Sequence, residues 1–331
     1  MSTVKPKVSI SISTYNRLEL LKIAVDSVLK QTYTDWELIV CDDGSTDGTQ
    51  NYMSELMSHN PRVKYVRHPV NIGKSNNMRS GFEAAKGEYF LKFDDDDILA
   101  SNFLELTVPL LDNNPHIDFV GGDTWIIDFK GERSIERSDG CSKRRGRANL
   151  SEGIVRDLLK VVFLKQSFYI GAALFRTAVL QEIDYMRRDL QSCEDNDLFV
   201  KLALANKTAY YLPVRLMEYR VHAEQRQRNK AIAHLDSYLK YLSFYKFTDE
   251  ELETARVLRL TKAKRQLGLC LLETESSTRA KRLLAEGCSS SKFESFFAWI
   301  VTSIPFLSIR QKAIVLIRKL KSIRERIIKP V

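Results

Sequence analysis

The chain has 331 residues, 44% of them apolar and 28% charged, with a net charge of +9. These values fit a globular protein of one large or two modest domains and exclude a disordered or fibrous chain. No run of 18 apolar residues occurs, so no hydrophobic transmembrane helix is expected, and the N-terminal segment lacks the pattern of a signal peptide. The positive charge is concentrated: residues 308–331 carry eight Lys/Arg and one acid, net +7, which leaves +2 for everything before them. A nucleic-acid-binding protein more often carries its charge on the folded body, so no nucleic-acid partner is expected. Cysteines at 41, 141, 193, 270 and 288 are too irregularly spaced for a zinc site or disulfide framework. They read as thiols of a reducing, cytoplasmic compartment.

In chain order, alternating Val8, Ile10 and Ile12 predict a strand. Leu18, Leu21, Ala24, Val25, Val28 and Leu29 recur at helical spacing. The run WELIVC (36–41) predicts a buried strand stopped by Asp42-Asp43-Gly44. Residues 46–59 read as a helix, 63–68 as a strand, 74–87 as a helix closed by Gly87, and 88–93 as a strand. Strand and helix thus alternate through the first hundred residues, which predicts an α/β fold with a doubly wound, mostly parallel sheet. From 116–131 onward the pattern becomes hairpin-like, and 138–150 reads as a basic loop. A helix begins near Glu194, and 208–225 looks like a strand pair. From about 229 the composition turns helical, with helices expected over 231–246, 249–272 and 275–287.

Ligands of such sheets sit at the carboxyl ends of the strands. Three polar clusters fall there: Ser13-Thr14-Tyr15-Asn16-Arg17, Asp42-Asp43-Gly44-Ser45, and Asp94-Asp95-Asp96-Asp97. Four adjacent carboxylates repel one another, and a shared cation would offset that repulsion. Mg²⁺ and Mn²⁺ take oxygen ligands, a few of them carboxylates, with phosphate and water completing the shell. Spacing alone leaves open which i, i+2 pair would serve. A helix N-terminus, which favours acids, is the alternative for this run and also for Glu194-Asp195.

Four segments in order, VSISISTYNR (8–17), VDSVLKQTYTDWELIVCDDGSTDGT (25–49), NIGKSNNMRSGFEAAKGEYFLKFDDDD (71–97) and CEDNDLFVKLA (193–203), carry a resemblance to the family-2 glycosyltransferases of GT-A fold. It covers residues 5–225 and implies a GT-A domain over 1–228, followed by a helical region over 229–331. By that resemblance Ser13, Thr14, Tyr15 and Arg17 line the pocket for the donor base and ribose, and Asp43 accepts from the base. Lys74 and Arg79 approach the nucleotide phosphates. Asp94 and Asp96 face a Mn²⁺ or Mg²⁺ ion, and Asp95 faces the ribose or sugar. Asp195 is the implied base for the acceptor hydroxyl, with Glu194 beside it, and His222 is an added contact for metal or diphosphate. The implied reaction is inverting, metal-dependent transfer of one sugar from a nucleotide donor, UDP-linked, to a glycan or lipid-linked glycan. Bacterial surface-polysaccharide assembly is the implied setting. The QxxRW element of processive members is absent, since EQRQRNK (224–230) lacks the Trp.

The tail stands outside the resemblance. Ile309, Ala313, Leu316, Leu320, Ile323 and Ile327 recur at steps of three and four with Lys and Arg between them. This predicts a basic amphipathic helix suited to an anionic membrane surface, peripheral on its cytoplasmic face. Other readings are weaker. GxGxxG is missing after the first strand, and GKS (73–75) has no leading P-loop glycine, since His68 stands there. A nucleotidylyltransferase would open with a Gly-rich basic loop. A non-catalytic scaffold bound to membrane through the tail would not need Asp43, Asp96 and Asp195 intact.

Overall fold

A computed structural model of the protein describes residues 5–221, 228–273 and 278–288, together with Ser303 and Lys312. The chain divides into two compact units, Met1–Ala223 and Glu224–Val331.

In the first unit, β1 (Val8–Thr14), β2 (Trp36–Asp42), β3 (Val63–Arg67) and β4 (Tyr89–Asp94) alternate with α1 (Leu18–Leu29), α2 (Thr49–His59) and α3 (Lys74–Ala84). All four strands run parallel in the order β3-β2-β1-β4, as the alternation predicts. The strand signal in β1 comes from two different faces. Val8, Ile10 and Ile12 join one apolar cluster with Leu21, Ala24, Val25 and Val28 of α1. Ser9, Ser11 and Ser13 alternate with them, and their small size lets α3 approach. A Cβ on Gly81 would lie 1.9 Å from Ser11 Oγ, and one on Gly87 would lie 2.5 Å from the Ser9 backbone nitrogen. Gly87 is therefore there for close approach to β1. It does not close α3, which ends at Ala84 with Ala85 in extended backbone.

The remaining strands are β5 (Ile98–Leu99), β6 (Phe119–Ile127), β7 (Gly153–Ile154), β8 (Ala173–Arg176) and β9 (Ala209–Arg220). The helices between them are α4 (Phe103–Asn113), α5 (Ile135–Arg144), α6 (Leu158–Lys160), α7 (Thr177–Glu182) and α8 (Glu194–Leu204). β8 enters antiparallel between β4 and β6, and β9 lies parallel to β6. Two expectations are corrected. Residues 138–150 do not form an open loop: most lie in α5, whose Ser134 side chain accepts from the Arg137 N–H at 3.3 Å. Residues 209–220 form one strand and not a pair. Its register against β6 shifts around Asp123, so the Pro-containing stretch is accommodated without a turn.

The second unit, described by itself, contains α9 (Arg228–Phe244), α10 (Glu250–Leu272) and α11 (Thr278–Cys288). Asp249 caps α10 by accepting from the Leu252 N–H at 3.0 Å. Gly268 and Gly287 let α10 and α11 come close, since Cβ atoms there would lie 2.7 Å from Leu284 Cγ and 2.6 Å from the Arg265 backbone nitrogen. Leu267, Leu271, Leu283 and Leu284 fill the seam. Among the described residues no helix is long and apolar enough to cross a membrane. His222, and the basic amphipathic segment apart from Lys312, lie outside the described residues.

Candidate active site

The strand register brings the three polar clusters level. Ser13 lies opposite Cys41 of β2 and Asp94 of β4, and Thr14 lies opposite Asp42. Two loops are then tied together at this edge. The Asn16 N–H donates to Ser45 Oγ at 2.9 Å, and the Thr46 N–H donates to Asn16 Oδ1 at 2.8 Å. Beside them Tyr15 is 47% exposed, and its side chain offers a flat apolar surface of the kind a nucleobase stacks on. Asp43 is buried and accepts from the Ile72 and Gly73 N–H groups at 2.6 and 3.1 Å. It thus fixes the turn that leads into α3. A carboxylate has further lone pairs, so this use leaves it able to accept another donor.

The acidic run is a strand end and a turn, followed by β5. It does not begin a helix; α4 starts only at Phe103. The four acids separate by environment. Asp94 closes β4 and its Oδ1 lies 2.7 Å from Lys92 Nζ, on a side chain that is 2% exposed. Burial would raise the Asp94 carboxyl, but Lys92 and Lys74 outweigh it and hold it at about 2. Asp95 and Asp96 converge on one cation, Arg17, whose Nη1 is 3.2 and 2.9 Å from their oxygens. Burial, with the Asp96 charge beside it, pushes Asp95 up to about 6. Asp97 is 1% exposed and accepts the Arg220 N–H at 2.9 Å, so it is a structural acceptor and caps no helix.

Across the edge, α8 opens with both expected acids. Its preceding residue, Cys193, has a left-handed backbone (φ 67°), a strained conformation for a non-glycine residue. Glu194 is buried and its Oε1 meets Lys74 Nζ at 2.7 Å. Burial opposes its charge, but Lys74 and then Lys92 outweigh it and keep the carboxyl below the usual range. Lys74 in turn is held well above its ordinary value although its side chain is half exposed: desolvation of the ammonium where it meets the acids opposes the charge, and Glu194, Asp94 and Asp195 outweigh that cost. Asp195 behaves differently. Its Oδ1 is buried and has no hydrogen-bond partner among the described residues. Burial pushes its carboxyl up to about 6, with Lys92 pulling it down and Glu194 pushing it up. An acid near pH 6 beside a strongly paired one is an arrangement suited to proton acceptance.

Arg79 is used elsewhere. Its guanidinium binds the Asp184 carboxylate at 2.6 Å and the Asp184 and Met186 carbonyls at 3.0 and 2.7 Å, anchoring the stretch before α8. Lys92 was not singled out from the sequence. Burial lowers its ammonium, but Asp195 and Asp94 outweigh that and raise it. The signal was its place in a central strand of a sheet covered on both faces, where a lysine needs a buried partner.

The acidic turn has the oxygen donors that a divalent cation takes. Among the described residues no preassembled group of three ligands is present. Mg²⁺ and Mn²⁺ are commonly held by one or two carboxylates with phosphate oxygens supplying the rest. Asp95 and Asp96 already share one positive group, and their oxygen-only chemistry fits such an ion.

A mixed, mostly parallel sheet, with helices on its faces and an acidic turn at the carboxyl edge of its parallel strands, is an α/β fold of GT-A type. The profile of glycosyl transferase family 2 matches residues 9–182, more than half of the chain. The chain belongs to that family and is a glycosyltransferase. A Haemophilus influenzae protein named as an uncharacterized glycosyltransferase is 27% identical over 221 residues, 66% of this chain and 67% of that one. A Campylobacter jejuni protein named GalNAc(5)-diNAcBac-PP-undecaprenol beta-1,3-glucosyltransferase is 27% identical over 253 residues, 76% of this chain and 77% of that one. Among solved structures, the mannosyltransferase PcManGT of Pyrobaculum calidifontis, in complex with GDP-Man and Mn²⁺, aligns over 95% of this chain and 87% of its own. The TM-score is 0.56 and the identity 18%. Residues 1–349 of S. aureus TarS, in complex with UDP-GlcNAc, align over 89% of this chain and 90% of that chain, at TM-score 0.56 and 16% identity. These likenesses establish the fold.

Proposed function

We propose that this glycosyltransferase moves a single sugar from a UDP-sugar to a hydroxyl of a glycan or lipid-linked glycan, with inversion at the anomeric carbon. The observation that carries the reading is Asp195, with its buried, unpartnered Oδ1 and a carboxyl near pH 6, next to an acidic turn at the carboxyl edge of the sheet. An acceptor hydroxyl is a poor nucleophile until its proton has a destination, and Asp195 provides one. As the acceptor oxygen bonds to the anomeric carbon, the bond from that carbon to the diphosphate breaks. The proton ends on Asp195 and the electron pair leaves with the nucleoside diphosphate. Glu194, held by Lys74, stays ionised beside Asp195 and keeps that carboxyl receptive.

Asp96 belongs both to the i, i+2 pair with Asp94 and to the pair with Asp95 that shares Arg17, so we assign it the central role in holding Mn²⁺ or Mg²⁺. When bound, the cation neutralises charge on the leaving diphosphate. Tyr15, with Ser13 and Thr14 at its foot, receives the base and ribose. The domains 1–228 and 229–331 divide the labour: the first carries the chemistry, and the basic tail brings it to an anionic, cytoplasmic membrane face. A UDP-linked donor and a lipid-linked acceptor agree with what the TarS and Campylobacter jejuni names state of those proteins. The test is product analysis with a panel of nucleotide sugars, NMR of the new anomeric centre, and chelation. Retention of configuration, or full activity in EDTA, would overturn the corresponding part.

A further inference from the structure

The acidic turn is held from below by one residue that the proposed chemistry does not use. Arg220 ends β9 and is 3% exposed. Its Nε donates to the Asp96 carbonyl at 2.8 Å, and its Nη1 to the Asp128 and Phe129 carbonyls at 3.2 and 3.3 Å. Its own N–H donates to Asp97 Oδ1 at 2.9 Å. Backbone pairing of Ile98 with Glu218 and of Leu99 with Met217 continues the same seam. Three chain segments therefore meet on one side chain: the acidic turn, the turn after β6, and the end of β9.

Three features set this apart from ordinary packing. The carbonyl that Arg220 grips belongs to Asp96, the acid assigned to the cation. The guanidinium cross-links the acidic turn to the turn after β6, through two further carbonyl contacts at Asp128 and Phe129. Asp97, a potential competing ligand, is turned away and occupied by a backbone donor. A planar fork reaches three carbonyls at once, which a lysine ammonium on a flexible stem cannot do with the same geometry.

We infer that Arg220, with Asp97, is a positioning residue that sets the shape of the Asp94–Asp97 turn for cation binding and couples it to the Asp128–Gly131 turn. This rests on the reading of that turn as a Mn²⁺ or Mg²⁺ site. Partners behind a metal ligand commonly change metal affinity about 10- to 100-fold when removed.

The experiment is a Mn²⁺ titration followed by electron paramagnetic resonance on the full chain, with UDP and separately with GDP present, alongside thermal unfolding. Arg220→Ala is expected to weaken Mn²⁺ binding about 10- to 100-fold. Arg220→Lys should recover part of that loss. Arg176 supplies the comparison, since it also binds three carbonyls, those of Ile117, Leu111 and Asn114, but starts opposite Tyr89 at the other end of β4. Arg176→Ala should lower thermal stability and leave the Mn²⁺ constant at the parental value. A parental constant in folded Arg220→Ala overturns the inference, as does an equal loss in Arg176→Ala. If Arg220→Ala does not fold, Arg220→Lys and Asp97→Ala are read by the same criterion. Absence of Mn²⁺ binding by the parent with either nucleotide overturns the cation reading itself and this inference with it.

Discussion

Lys74 and Glu194 occupy the first positions of α3 and α8, and their ion pair at 2.7 Å joins the two helix N-termini across the candidate site. The pair is asymmetric: the Glu194 side chain is 2% exposed and that of Lys74 is 49% exposed. Removing the lysine leaves a buried carboxylate short of its main counter-charge. Breaking a fully buried pair costs about 3–5 kcal/mol, and the solvent access of Lys74 reduces that, so Lys74→Met should cost about 1–3 kcal/mol. Urea unfolding at neutral pH measures it. A stability equal to that of the parent would show the pair to be inert.

Asp195 should govern the acid limb of the pH–rate profile. Its carboxyl lies at about 6, and only the ionised form accepts the acceptor proton. The rate is therefore lost as pH falls through about 6 and is level above it. Asp195→Asn should lower turnover by about 10²–10⁴-fold and leave donor binding in place. The sign for stability is opposite to that of an ion-paired acid. A carboxyl raised above its ordinary 3.8 binds more protons folded than unfolded between those values, so it costs stability as pH rises through about 6. Asp195→Asn should hence melt no lower than the parent at pH 8. A variant that turns over at the parental rate, or whose acid limb is unmoved, would remove the base assignment.

Gly81 and Gly87 should both resist substitution, in a definite order. A Cβ on Gly81 meets the Ser11 side chain at 1.9 Å, and a serine rotamer can move. A Cβ on Gly87 meets backbone atoms of Ser9, Tyr89 and Val8 at 2.5, 2.8 and 2.8 Å, and those belong to two central strands. Overpacking of this kind costs about 1–3 kcal/mol, with Gly87→Ala the worse of the two. Paired thermal melts decide the order, and equal losses would contradict the rigidity argument.

The half of the sheet that carries β1 to β4 was legible because each strand announces itself locally, with alternation in β1 and short apolar runs stopped by Asp-Gly or by acids. The level alignment of Ser13, Cys41 and Asp94 followed from parallel pairing. The other half was not legible, because β8 entering antiparallel between β4 and β6 is a long-range choice that no local period encodes. The basic stretch 138–150 hid α5 because charge and a glycine mimic a loop, although Ser134 before Arg137 was a usable capping signal. Spacing left the pair within the acidic run open and the resemblance implied Asp94 with Asp96; the structure sets Asp94 against Lys92 and puts Asp95 with Asp96 on Arg17. In the turn that follows Asp94, side-chain direction depends on backbone geometry that residue spacing does not specify.

The tail can be tested apart from the catalytic unit. Seven net positive charges over residues 308–331, interleaved with apolar residues at helical steps, should bind vesicles containing phosphatidylserine, at about 1 kcal/mol per basic residue near the surface. Removing 292–331 should abolish co-sedimentation, and raising salt should weaken it in the intact chain. Co-sedimentation that survives the truncation would place membrane binding elsewhere.

Arg17 yields the sharpest test of the acidic turn. Its guanidinium lies 2.9 Å from Asp96 and 3.2 Å from Asp95, so it competes for the same oxygens as an incoming cation. Arg17→Gln should therefore bind Mn²⁺ in the absence of nucleotide more tightly than the parent, by about 3- to 10-fold, which is about 0.7–1.4 kcal/mol for losing a part-buried competing ion pair. The gain must depend on pH. Burial and Asp96 push Asp95 up to about 6, and Arg17 is among the charges that pull it down. Without Arg17 that carboxyl protonates at higher pH and stops serving as a ligand. Tighter Mn²⁺ binding is expected at pH 8 and should disappear by pH 6. Mn²⁺ binding that weakens at pH 8 in Arg17→Gln would mean that the guanidinium organises the carboxylates and does not compete for them.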